Sequence, residues 1–132
     1  MIKNIPNKYT QNMLLEQIDI NHRGRYDFFY LPIDVKNNCN VGYAFINMTD
    51  PIFVLALFEE LNGCYWERFN SEKICELTYG RIQGKEGLVE NFFNSVETRK
   101  VKPLIINNLP WENQGKIDAL RAYYSKRYFG VV

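Results

Sequence analysis

One histidine and three cysteines are all this chain offers toward a metal centre or a disulfide framework. Cys39, Cys64 and Cys75 are an odd and dispersed set, and His22 would have to complete any zinc shell. No two cysteines lie at the close spacing usual for zinc, and a reducing compartment suits them better than an oxidising one. No apolar run reaches the roughly eighteen residues of a membrane span, so no membrane partner is expected. The opening Met1–Pro6 lacks the apolar stretch of a signal peptide and reads as structure from its first residue. Catalytic groups are equally scarce. Between Gly80 and Lys85 the spacing is one short of a phosphate loop, and neither Ser nor Thr follows. Asp19, Asp27 and Asp34 lack metal-ligand spacing, and no cysteine has a histidine placed to activate it. No enzyme activity, metal or cofactor is expected.

What is present is apolar and aromatic. Hydrophobic residues make up 46% of the 132, enough for one ordered domain with a single core. The net charge of +1 hides an asymmetry. Residues 1–98 hold 9 basic and 13 acidic side chains, a balance of −4, whereas residues 99–132 hold 7 basic and 2 acidic, or +5. Charge alone does not point the first part toward nucleic acid; the tail's excess does.

Hydrophobic periodicity predicts a strand at Met1–Ile5 stopped by Pro6, then a helix over 11–20 capped by Thr10. A second strand follows at Tyr26–Leu31, ended by Pro32, and an asparagine-rich polar loop fills 33–40. Val41–Met48 is the third strand. Asp50-Pro51 opens a second helix that runs to Leu61 and ends at Asn62-Gly63. Trp66 and Phe69, in a longer connection, are expected to fold over a core edge. Lys73–Tyr79 is a fourth strand, and 84–96 a third helix with Leu88, Val89, Phe92 and Phe93 as its stripe. Beyond it come a short apolar run at 101–107, a turn at Leu109-Pro110-Trp111 and a helix over 114–128.

The order through residue 79 is strand, helix, strand, strand, helix, strand. It predicts an α+β, ferredoxin-like β-α-β-β-α-β fold: a four-stranded antiparallel sheet, two helices on one face, and a C-terminal helical extension. Residues 1–96 form the domain with its third helix, and 97–132 an extension packed on it. In the third strand Ala44, Ile46 and Met48 face the helices, while Tyr43, Phe45 and Asn47 face the open side. The first strand adds Met1 and Lys3 there, the second Phe28 and Tyr30, and the fourth Glu76 and Thr78. Tyr26, Phe29 and Leu31 belong to the core if a bulge sits near Asp27.

Exposed rings on an open sheet stack bases, at about 1–3 kcal/mol per base. Lys3, Lys73 and Arg81 neutralise phosphates, and Asn47 and Thr78 discriminate base edges. Two outcomes are open for Phe28 and Tyr30: a ligand surface, or an inner interface beneath a C-terminal helix. Glu76 is unfavourable beside phosphate, so it either faces elsewhere or restricts the path of the strand.

Val41-Gly42-Tyr43-Ala44-Phe45-Ile46-Asn47-Met48 resembles the RNP1 motif of RNA-recognition motif (RRM) domains, and Met1–Ile5 the RNP2 strand without its first position. More narrowly, the chain resembles the C-terminal RRM domain of Mei2-like proteins. The stretches that carry this are Met1–Lys8, Tyr26–Phe28, Leu31–Asp34, Cys39–Asn47, Phe69–Lys73 and Ile82–Lys85. The resemblance covers residues 1–96. It implies single-stranded RNA as partner, a nuclear protein that either stays there or shuttles to the cytoplasm, and a role in meiosis or differentiation. Met1 replaces the usual RNP2 aromatic and Val41 the usual RNP1 basic residue, which removes one stacking partner and one phosphate contact. The alternative is a protein-binding module whose sheet face is masked by its own helix or turned to a protein partner.

Overall fold

The computed structural model describes residues 1–94, 102–107 and 113–129. Seven strands and four helices occur among them: β1 (Ile2–Lys3), α1 (Gln11–His22), β2 (Tyr26–Tyr30), β3 (Ile33–Asp34), β4 (Cys39–Asn40), β5 (Tyr43–Met48), α2 (Pro51–Leu61), β6 (Glu76–Leu77), α3 (Lys85–Asn94), β7 (Leu104–Ile105) and α4 (Asn113–Phe129). The main sheet has the order β6-β1-β5-β2-β7, and its pairings are antiparallel. The β-α-β-β-α-β core is therefore formed, with β1 and β5 beside each other. It is a ferredoxin-like RRM fold with an extension.

Local chemistry explains the helix starts. The Thr10 hydroxyl accepts from the Met13 amide at 3.2 Å, and the Asp50 carboxylate accepts from the Ile52 amide at 3.0 Å with Pro51 at the first helical position. Leu14 and Ile18 of α1 and Leu57 and Leu61 of α2 pack with Ile2, Ile5, Tyr26, Phe29, Leu31 and Ala44 into the main core. Alternation in β2 works because its register against β5 slips between Tyr26 and Phe28, placing a bulge at Asp27.

Several expectations need correction. The sheet has five strands, not four: β7 pairs with the outer edge of β2, Phe28 opposite Ile105 and Phe29 opposite Leu104. The polar loop at 33–40 is a small hairpin, β3 with β4, held by the pairs Ile33–Asn40 and Asp34–Cys39. The fourth strand is shorter than expected; only Glu76–Leu77 is regular, after an isolated bridge between Tyr65 and Ile74. Trp66 is buried against Tyr9, while Phe69 packs edge-on to Tyr9 and stays partly exposed. The turn expected at Leu109–Trp111 lies outside the described residues. Among the described residues no helix is long and apolar enough to cross a membrane.

The extension sits on two sides of the domain. Helix α4 packs on α2, where Arg121 meets Asp50 at 3.0 Å and Arg127 meets Glu59 at 3.3 Å. Helix α3 lies against the opposite face of the sheet. There Leu88, Val89 and Phe92 cover Phe28 and Tyr30 in a second, smaller cluster with Phe45, Ile82 and Ile105.

Candidate nucleic-acid interface

Register fixes what the open face presents. Lys3 on β1 lies opposite Tyr43 on one side and Glu76 on the other, so Glu76, Lys3 and Tyr43 form one row across three strands. Their neighbours Ile2, Ala44 and Leu77 point into the core, which sends this row to the far face. A second row holds Phe45 opposite Tyr30, and a third Asn47 opposite Phe28 opposite Ile105.

The three rows differ in access. Tyr43 is 40% exposed, whereas Phe28 and Tyr30 are 1% and 5% exposed. Phe28 and Tyr30 are thus on the expected face but under α3, with the Tyr30 ring edge-on to Phe92 at 5.1 Å. Their place as ligand-facing rings is corrected: no base reaches them while α3 is seated. The covering element is α3, not the helix at 113–129. Phe45 is half-buried at the border, its ring edge-on to Tyr43 at 5.6 Å. The open part of the platform is therefore Tyr43 with Lys3 and the free side of Phe45.

Its frame is set by two loops. Gly42 takes φ +93°, a conformation that side chains resist, and there its amide donates to the Asn40 side chain at 2.8 Å while its carbonyl accepts from Ile5 at 3.0 Å. The buried Asn40 amide in turn donates to the carbonyls of Pro6, Asn7 and Tyr9 at 2.8, 3.2 and 2.9 Å. Asn40 thereby ties the loop after β1 to the start of β5, and so holds Lys3 and Tyr43 in register. Sequence reasoning saw Asn40 only as part of a polar loop; its single signal is its place just before the glycine.

The remaining candidates do not converge. Lys73 lies at the Tyr43 end, where its ammonium donates to the Ile5 carbonyl at 3.4 Å and to the Asn7 side chain at 3.3 Å. Arg81 is exposed beyond β6, between Gly80 and Ile82, which line a groove with Asn47 and Met48. Thr78 is half-buried, its amide donating to the Met1 carbonyl at 3.0 Å. Asn47 donates to the Asp27 carboxylate at 2.8 Å, so its amide hydrogens are partly engaged and its carbonyl oxygen is left to accept.

Among the described residues no group of three His, Cys, Asp or Glu side chains is arranged to hold a metal. His22 is buried with its ring bonded to the Glu60 carboxylate. Burial pushes the Cys75 thiol up to about 12, far from a nucleophile's range.

Comparison with known proteins agrees with this geometry. The family model described as RNA recognition motif 2 matches residues 1–93. Protein MEI2-like 5 of Oryza sativa subsp. japonica is 56% identical over 120 residues, covering 89% of this chain and 15% of the relative. Protein MEI2-like 3 of Arabidopsis thaliana is 58% identical over 110 residues, covering 81% and 14%. Protein MEI2-like 3 of Oryza sativa subsp. japonica is 62% identical over 95 residues, covering 72% and 10%. The chain thus spans a tenth to a seventh of the length of these relatives. With its sheet order, its exposed Tyr43 and its RNP-like strands, the chain belongs to the RNA recognition motif 2 family, in the form carried by Mei2-like proteins.

Proposed function

We propose that this domain binds single-stranded RNA without catalysis, at the Tyr43 end of its open sheet face. The observation that carries this reading is the exposed Tyr43 ring beside Lys3, on a part of the face that α3 leaves uncovered among the described residues. A base stacks on Tyr43 and the free side of Phe45, and Lys3 meets the adjoining phosphate or base edge. Thr78, Asn47, Lys73 and Arg81 extend the path as lesser contacts. By likeness to the Mei2-like relatives we further propose a role in RNA regulation during meiosis or differentiation, in a protein that is nuclear or shuttles to the cytoplasm, with this domain as its RNA-contacting part.

The test is fluorescence-anisotropy titration of short single-stranded RNAs with the native chain and Tyr43→Ala. Stacking is worth about 1–3 kcal/mol, so the substitution should weaken binding roughly 5- to 150-fold. Tm should move little, because the ring is exposed. Equal affinity in a folded Tyr43→Ala protein would remove RNA from the sheet.

One observation favours a second reading. Burial of Phe28 and Tyr30 under α3 is what a module with a masked sheet would show, its function being to bind a protein. Absence of RNA binding by the native chain at low salt would select that reading.

A further inference from the structure

We infer that Glu76, with Lys3 beside it, selects the base stacked on Tyr43 for guanine and against uracil. This rests on the RNA-binding reading of the same face. Glu76 pairs directly with Lys3 in the β1–β6 ladder, and Lys3 pairs directly with Tyr43 in the β1–β5 ladder. Two strand spacings, roughly 10 Å, therefore separate the backbone positions of Tyr43 and Glu76, well within the reach of a stacked base and an extended glutamate. A base lying on Tyr43 and reaching across Lys3 brings its polar edge to Glu76.

The carboxylate is exposed, and no hydrogen bond or ion pair engages it among the described residues, Lys3 included. It is thus an acceptor that no described protein group occupies. Its neighbour Lys3 is a donor only, equally without a bonded partner among the described residues. The pair presents an acceptor and a donor side by side, and this pattern suits some bases and not others. Guanine offers the N1 and amino hydrogens as a parallel fork to both carboxylate oxygens, with O6 next to them for the ammonium. Cytosine and adenine each offer one amino group. Uracil offers a single N3 hydrogen between two carbonyl oxygens, and these repel the carboxylate. A charge that looks out of place beside a polyanion gains a role as a filter: it accepts one base edge and turns away the others and the phosphate.

The experiment uses the full chain and fluorescein-labelled uridine hexamers with one central position changed to guanosine, inosine, cytidine or adenosine. Anisotropy should give guanosine the lowest Kd and the all-uridine strand one about tenfold higher, as for a paired hydrogen-bond contact. Inosine keeps the N1 hydrogen and lacks the amino group, so it should fall between. Glu76→Gln puts an amide hydrogen where guanine needs an acceptor. It should shrink the guanosine-to-uridine ratio to within about twofold, with no loss for the uridine strand. An unchanged ratio in Glu76→Gln overturns the inference, as does a uniform gain for every RNA, which would mean that Glu76 only repels phosphate. In both cases Tyr43→Ala would still weaken binding if the stacking reading holds. No binding of any strand by the native chain removes both readings together.

Discussion

Asn40 is the residue on which the geometry of the site depends most. One side-chain amide satisfies three carbonyls of the loop after β1, and its oxygen accepts the Gly42 amide. Removing it takes a partner from each of these groups, of which the Pro6 carbonyl keeps the Tyr9 amide at 3.1 Å, so Asn40→Ala should cost about 2–3 kcal/mol. Urea denaturation would show this as a lower midpoint with unchanged slope. Asn40→Asp should cost more, since a carboxylate cannot donate to the three carbonyls it would face. The residue scale also shows what the sequence could and could not carry. Alternation placed Tyr43, Phe45 and Asn47 opposite Ala44, Ile46 and Met48, and it set the face of Phe28 and Tyr30 once a bulge at Asp27 was allowed. It could not carry the access to that face. A side chain's direction follows from local backbone geometry, whereas its exposure depends on what a distant segment does.

At the scale of elements, α3 decides how much of the sheet is available. Its stripe was readable, because Leu88, Val89 and Phe92 recur at helical spacing. Its partner was not, since periodicity defines an apolar face without naming what that face covers. Leu88→Ala should loosen the helix from Phe28 and Tyr30 and cost about 2 kcal/mol. Hydrogen exchange would locate the effect: amides of α3 should exchange faster while those of α1 and α2 keep their protection. Equal acceleration across all helices would mean that α3 belongs to the main cooperative unit. Strands β3, β4, β6 and β7 are two residues each. So short a run has no period to detect: β7 forms on the edge that β2 supplies, β6 on the equally short β1, and β3 and β4 on each other. The Asn-rich loop shows the same limit. Its turn tendency was plain, but the pairing of Ile33 with Asn40 depends on the buried Asn40 clamp.

For the whole molecule, the distribution of charge matters more than its sum. The tail's excess of basic residues points toward nucleic acid by charge. Two of its seven basic residues, Arg121 and Arg127 of α4, meet Asp50 and Glu59 of α2, against the helical layer rather than the sheet. Lys73 is engaged by the loop after β1, and Arg81 stands beyond β6, between residues that line a groove with Asn47 and Met48. Few cations are left at the Tyr43 end, and RNA binding should accordingly depend weakly on salt. With about two phosphates neutralised, log Kd against log salt should have a slope near 1.4. A slope above about 3 would show that the tail cations take part after all.

The strand β7 has a further consequence. Without it, β2 would end the sheet with the run Tyr-Asp-Phe-Phe-Tyr, whose backbone amides and carbonyls would face outward along an aromatic segment. An unpaired edge of that kind is a template for a strand from another molecule. Residues 104–105 occupy the position that such a strand would take, and Ile106 adds a bond to the Asp27 carbonyl at 2.9 Å. The extension thus fills the edge at which a second copy would otherwise pair, and a chain shortened to Asn94 is expected to keep Glu76, Lys3 and Tyr43 in one row while becoming prone to aggregate.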